Sequence, residues 1–128
     1  MILVDTSAWI DADKKPDSRE GRELVRLMAG YEVATTGLVV AELLQGATSD
    51  SQFADLASKL SALDYYDANK ETWLRAAELS YQLKKRGMIT PLSDLVIAAV
   101  ALENNLPVYA TDNHFSRVPG LVRHEARV

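Results

Sequence analysis

The chain has no cysteine. Disulfides and thiolate metal sites are therefore excluded, and a reducing cytoplasm is the expected location. Long apolar runs are missing too. The longest uncharged one, Leu95 to Leu102, is too short to span a bilayer. The opening Met1-Ile2-Leu3-Val4-Asp5 lacks a basic segment, and Asp5 interrupts its apolar run, so it does not read as a signal peptide. There is no P-loop, no H-x-E with P-C-x-x-C and no G-x-S-x-G, which leaves competing nucleotide and hydrolase chemistries without support. No repeat, low-complexity tract or interdomain linker breaks the chain. An excess of positive charge is also lacking: the formal charge is −4, which at first argues against a nucleic-acid partner.

What is present fits one soluble globular domain spanning residues 1–128, with 48% hydrophobic and 25% charged residues. Short apolar segments predict strands over Ile2–Asp5, Glu32–Thr36, Leu63–Tyr66 and Val108–Thr111, with Leu121–His124 a candidate fifth at an edge. Between them lie helical patterns. Thr6 and Ser7 cap a short helix through Ile10, and Ser18–Ala29 forms a second with Gly30 as its stop. Further helices are expected over Leu38–Gln45, Gln52–Leu63 and Asn69–Arg86. A last one begins at Thr90-Pro91, with the proline in the first helical position, and runs to about Asn104; it is apolar nearly all round. Strands alternating with helices imply an α/β fold whose parallel sheet is covered on both faces. Ligands of such sheets bind at the carboxyl ends of the strands.

Four acids stand in apolar sequence: Asp5, Glu42, Asp94 and Asp112. A charge beside core-forming sequence is costly unless paired or bound to a metal. Each also has an ordinary structural reading. Asp5 is placed to cap the helix at Thr6, and Glu42 sits on a half-polar helix face. Asp94 complements a helix dipole, and Asp112 in Thr111-Asp112-Asn113-His114 suits an Asx turn. Asp5 and Asp112 fall at strand ends and Glu42 in the helix leaving a third, whereas pattern alone does not place Asp94. The four account for the whole formal charge of −4. A hard divalent cation among them would remove the electrostatic objection to RNA.

Taken jointly, Ile2-Leu3-Val4-Asp5-Thr6-Ser7-Ala8-Trp9-Ile10, Val40-Ala41-Glu42-Leu43-Leu44-Gln45-Gly46, Asp94-Leu95-Val96-Ile97-Ala98-Ala99 and Tyr109-Ala110-Thr111-Asp112-Asn113-His114-Phe115 carry a resemblance. The chain resembles the PIN-domain family over its whole length, and within it the VapC-type toxins of bacterial toxin–antitoxin pairs. The resemblance implies a three-layer α/β/α domain with a parallel sheet of four to five strands. It implies a Mg²⁺- or Mn²⁺-dependent endoribonuclease, a VapB-like antitoxin that inhibits it, and a homodimer.

Carried over by position, Asp5, Glu42, Asp94 and Asp112 match the family's acidic metal site. Thr6 or Ser7 matches the hydroxyl beside the first acid, and Thr111 the threonine before the last. Many relatives carry a further acid two residues after the position of Asp112, where this chain has His114. His114 and Arg117 are candidate substrate contacts, as are Lys14, Lys15, Arg123 and Arg127. Glu42 is open between holding a second ion, holding a water and acting as base. Two alternative functions stand beside the toxin: a solitary PIN nuclease of RNA processing, and a silent RNA- or protein-binding module. A dehalogenase-like phosphotransferase would want Asp-x-Asp where Asp5-Thr6-Ser7 stands, and a receiver domain would want a lysine near the last strand end, where none occurs.

Overall fold

The alternation of short apolar strands with helices is realised in a computed structural model that describes residues Met1–Arg127. The elements are β1 (Ile2–Val4), α1 (Thr6–Lys14), α2 (Arg19–Ala29), β2 (Val33–Thr35), α3 (Gly37–Gln45) and α4 (Asp50–Ser61). They continue with β3 (Asp64–Tyr65), α5 (Lys70–Lys85), α6 (Leu92–Glu103), β4 (Val108–Tyr109) and a 3-10 turn over His114–Arg117. The sheet runs β3-β2-β1-β4 with every neighbour parallel. All strand carboxyl ends therefore point the same way. The chain steps outward from β1 to β3, then crosses to place β4 on the other flank of β1. The crevice of this fold opens at that reversal, between the ends of β1 and β4.

Strand residues alternate between two cores, as the period of two requires. Leu3, Ala34 and Val108 face one side, where they pack with α5 and α6. Val4, Val33 and Tyr109 face the other, against Ala8 of α1 and Leu24 and Leu27 of α2. The helix α6 is buried without interruption from Leu95 to Ala101, which explains its all-round apolar sequence. No helix of the described residues is long and apolar enough to cross a membrane.

The structure corrects two local expectations and bears out a third. The segment after Leu121 forms no fifth strand among the described residues. It makes a single parallel bridge, Val108 to Arg123, held by bonds from the Val108 amide to the Val122 carbonyl and from the His124 amide to the Val108 carbonyl. Pro91 is the cap of α6 rather than its first helical residue, and its fixed φ of −54° still sets the helix entry. Helix α2 does end at Gly30, but that glycine stays at φ −88°, and Tyr31 takes the left-handed conformation at φ 54°.

The C-terminal segment is tied to α2 by a buried ionic contact. Glu23, with its side chain 1% exposed, accepts two bonds from the Arg26 guanidinium, at 2.7 and 2.9 Å. His124 Nε2 lies 2.5 Å from Glu23 Oε2. The hydrogen bond from Arg26, joined by that from His124, holds the Glu23 carboxyl down at about 2. An ionised carboxylate only accepts, so Nε2 donates. The His124 ring meets Tyr109 edge-on, and the Tyr109 hydroxyl donates to the Glu20 carbonyl at 2.8 Å.

Because the Glu23 pKa is depressed in the fold, its contribution to stability is complete above its ordinary value of 4.5 and is lost as pH falls toward about 2. Glu23→Gln is therefore expected to cost about 2 kcal/mol at neutral pH. Denaturant titration across pH should show wild type and variant converging below pH 4.5.

Candidate metal centre

The end of the central strand delivers Asp5 into the crevice. Its residue is 2% exposed, and it caps α1 by accepting from the Ser7 amide at 3.0 Å. The Ser7 hydroxyl donates to the same oxygen, Asp5 Oδ2, at 2.6 Å. That hydroxyl in turn accepts from the Thr111 amide at 3.1 Å. One serine thus joins the exits of β1 and β4. Asp5 Oδ1 is buried and has no hydrogen-bond partner. Burial is the largest cause that pushes the Asp5 carboxyl up to about 6; the Ser7 bonds oppose it, and the charges of Asp94 and Asp112 add to it.

The other acids arrive from three elements. Asp94 stands in the first turn of α6. Its carboxyl is raised by burial, with the charges of Asp112 and Glu42 adding to the rise and the hydrogen bond from His114 opposing it. Asp112 follows β4 and accepts from the His114 amide at 3.0 Å, the Asx turn expected from sequence. Glu42 projects from α3, and its Oε1 accepts from the Thr6 hydroxyl at 2.8 Å. All four acids are thus close enough to feel one another's charge in a chain Asp5–Asp94–Glu42 and Asp5–Asp112–Asp94. The capping, dipole and turn readings of Asp5, Asp94 and Asp112 hold at the same time. The fold uses these local roles to aim the carboxylates.

His114 belongs to the cluster in a way the sequence did not reveal. Its Nδ1 lies 2.5 Å from Asp94 Oδ2 and 3.7 Å from Asp112 Oδ1. Asp94, Asp112 and His114 each offer a ligand atom, and these atoms lie within 4.8 Å of one another. The signal was the position itself, two residues beyond Asp112, but nothing in the pattern showed which acid the ring would meet. Thr111 contributes through its backbone amide. The Arg117 guanidinium donates to the Ile89 carbonyl at 3.0 Å, bracing the loop before α6.

A cluster of like charges, partly withdrawn from water, with one buried oxygen lacking a partner, is the arrangement a hard cation relieves. Asp5 Oδ1, Asp94 and Asp112 are oxygen donors of the type Mg²⁺ and Mn²⁺ prefer. The residues fit such an ion.

Comparison with known proteins bears on this geometry. The model of the PIN domain family matches residues 2–121. Ribonuclease VapC5 of Mycobacterium tuberculosis is 32% identical over 127 residues, covering 92% of this chain and 87% of its own. Ribonuclease VapC1 of Methanocaldococcus jannaschii is 31% identical over 121 residues, covering 91% and 80%. Among solved structures, VapBC2 from Rickettsia felis, bound to a DNA fragment from its promoter, superposes with a TM-score of 0.77 at 25% identity. It covers 97% of this chain and 98% of the other. VapBC-1 from nontypeable Haemophilus influenzae reaches a TM-score of 0.81 at 19% identity, a likeness of fold.

The Asp5 carboxyl is raised, so its cost to the folded chain is absent below its ordinary value of 3.8 and fully present above about 6. Asp5→Asn keeps an acceptor for Ser7 and removes the charge. In EDTA at pH 7 the variant is expected to be more stable than wild type by about 2 kcal/mol, a gain that disappears near pH 4. Thermal melts at the two pH values check this.

Proposed function

The chain belongs to the PIN-domain family, and on that premise we propose that it is a divalent-metal-dependent endoribonuclease, the toxin of a VapBC-type pair. On this reading residues 1–128 act as one PIN domain, held in check by a VapB-like antitoxin and assembled as a homodimer. The observation that carries the proposal is the buried, unpartnered Asp5 Oδ1, on a carboxyl that the charges of Asp94 and Asp112 raise further. The relatives' names as ribonucleases, and the VapBC complexes among similar folds, support RNA as substrate and an antitoxin as partner.

Asp5, Asp94 and Asp112 would hold a Mg²⁺ or Mn²⁺ ion, with Glu42 at the rim. Such an ion supplies positive charge for the phosphate and lowers the pKa of a bound water. The chain's own groups prepare the site. Ser7 occupies Asp5 Oδ2, which leaves the buried Oδ1 without a protein partner. Thr6 fixes one oxygen of Glu42, leaving the other available to orient a water or a second ion. His114 pins Asp94 Oδ2 and so fixes the rotation of that carboxylate. Neutralising the acids is also what lets a polyanion approach, so RNA binding should follow metal binding rather than precede it.

Purified chain, freed of any partner, is expected to cleave RNA with Mg²⁺ or Mn²⁺ and to stop in EDTA. Asp5→Asn should abolish cleavage and the heat of Mn²⁺ binding in calorimetry. Cleavage that survives EDTA or the substitution would point to a contaminant. In cells, expression should arrest growth, Asp94→Asn should relieve the arrest, and the product of a small adjacent antitoxin gene should suppress it.

A further inference from the structure

A second concavity lies beside the acids on the outer flank of β4, with a volume of about 430 Å³. Its cations come from three places: Lys14 at the end of α1, Lys15 and Arg19 around the turn into α2, and Arg123 in the C-terminal segment. Among the described residues, Lys14, Lys15 and Arg123 enter no ion pair, and Arg19 has only a loose one with Glu20 at 3.9 Å. The cavity adjoins the acidic cluster directly. Thr111, whose amide is bonded to Ser7, lines it, and Arg123 Nη2 donates to the Asp112 carbonyl at 3.3 Å.

The walls are built rather than draped. A Cβ on Gly21 would stand 2.7 Å from the Lys15 carbonyl oxygen and 2.8 Å from that of Pro16, so only glycine lets the lysine-bearing turn rest on α2. On the opposite side, His124 is fixed by Glu23 and by the Tyr109 ring. Acids also line the space: Asp11, Glu20 and Glu125. A site for bare phosphate would gain nothing from them. A nucleotide would, because its ribose hydroxyls and base amino groups are donors that need acceptors, while its phosphate needs the cations. The size suits a single nucleotide.

We propose that this cavity seats the RNA nucleotide next to the scissile bond, with Lys14, Lys15, Arg19 and Arg123 holding its phosphate. The proposal rests on the endoribonuclease reading and names a subsite for it. It also gives an acidic chain a place to engage RNA: Lys14, Lys15, Arg19 and Arg123 meet in one cleft, with acids beside them for the donors of the sugar and base.

The test pairs a Lys14→Ala/Lys15→Ala/Arg19→Ala variant with a Lys84→Ala/Lys85→Ala control at the far end of α5. Binding of a short fluorescein-labelled single-stranded RNA is read by anisotropy over a salt series, with Ca²⁺ present. Cleavage of the same RNA is read separately with Mg²⁺ or Mn²⁺, and circular dichroism confirms folding. For the triple variant, Kd and KM should rise about tenfold while kcat falls less than threefold. The slope of log K against log salt should shrink by about 0.7 for each phosphate that the variant no longer neutralises. The control should match wild type in all of these. Lys14→Arg/Lys15→Arg should retain most of the affinity. Equal Kd and salt slope for the triple variant and wild type would overturn the subsite while leaving the nuclease intact. RNA binding that depends on the three cations, without any metal-dependent cleavage, would keep the subsite and refute the nuclease. Tight metal-independent binding of a peptide, abolished in the triple variant while RNA affinity stays unchanged, would assign the cavity to a protein partner instead.

Discussion

Everything about the candidate site depends on one unfavourable interaction, the burial of the Asp5 charge at the end of the central strand. The carboxylate is withdrawn from water, lies in the field of Asp94 and Asp112 and has one oxygen with nothing to bond. Such an arrangement is tolerated only because the surrounding fold leaves it no alternative. The strand continues straight into α1, with Asp5 as the cap. The neighbouring strands and the buried helix α6 fix the sheet beneath it. A divalent cation would turn the repulsion into attraction, so the feature that weakens the metal-free chain is the one that would select the metal.

The supporting contacts are small and specific. Ser7 holds Asp5 with both its amide and its hydroxyl, and the same hydroxyl receives the Thr111 amide from across the crevice. Thr6 reaches the other way, to Glu42 on α3. Two adjacent residues at the start of α1 thereby link three elements that carry acids. His114 adds the fourth by bonding Asp94, and its own position is set by the turn around Asp112. Removing any of these links would loosen the carboxylates without touching the core.

Much of this arrangement was legible in the sequence because local chemistry and site geometry coincide. Asp5 reads as a cap and is one. Asp112 reads as an Asx turn and makes one. The fully apolar run after Asp94 announces a helix buried on all sides, and α6 is that helix. Asp94 itself was not placeable from pattern, because its approach to the others depends on α5 and α6 carrying the chain from β3 across to β4. The His114–Asp94 and Glu23–His124 contacts were also hidden, since the latter joins residues 101 positions apart with no periodic signal. The expected fifth strand reduces to a single bridge, two backbone bonds to Val108, and the His124 side chain is anchored on Glu23.

The central claim is that Asp5 Oδ1 is a ligand of a cation shared with Asp94 and Asp112. Anomalous diffraction from crystals soaked in Mn²⁺ tests it most directly. A manganese peak within coordination distance of Asp5 Oδ1 and of both other aspartates is the expected result. A peak held by Asp94, Asp112 and His114 without Asp5, or no peak at millimolar manganese, would contradict it.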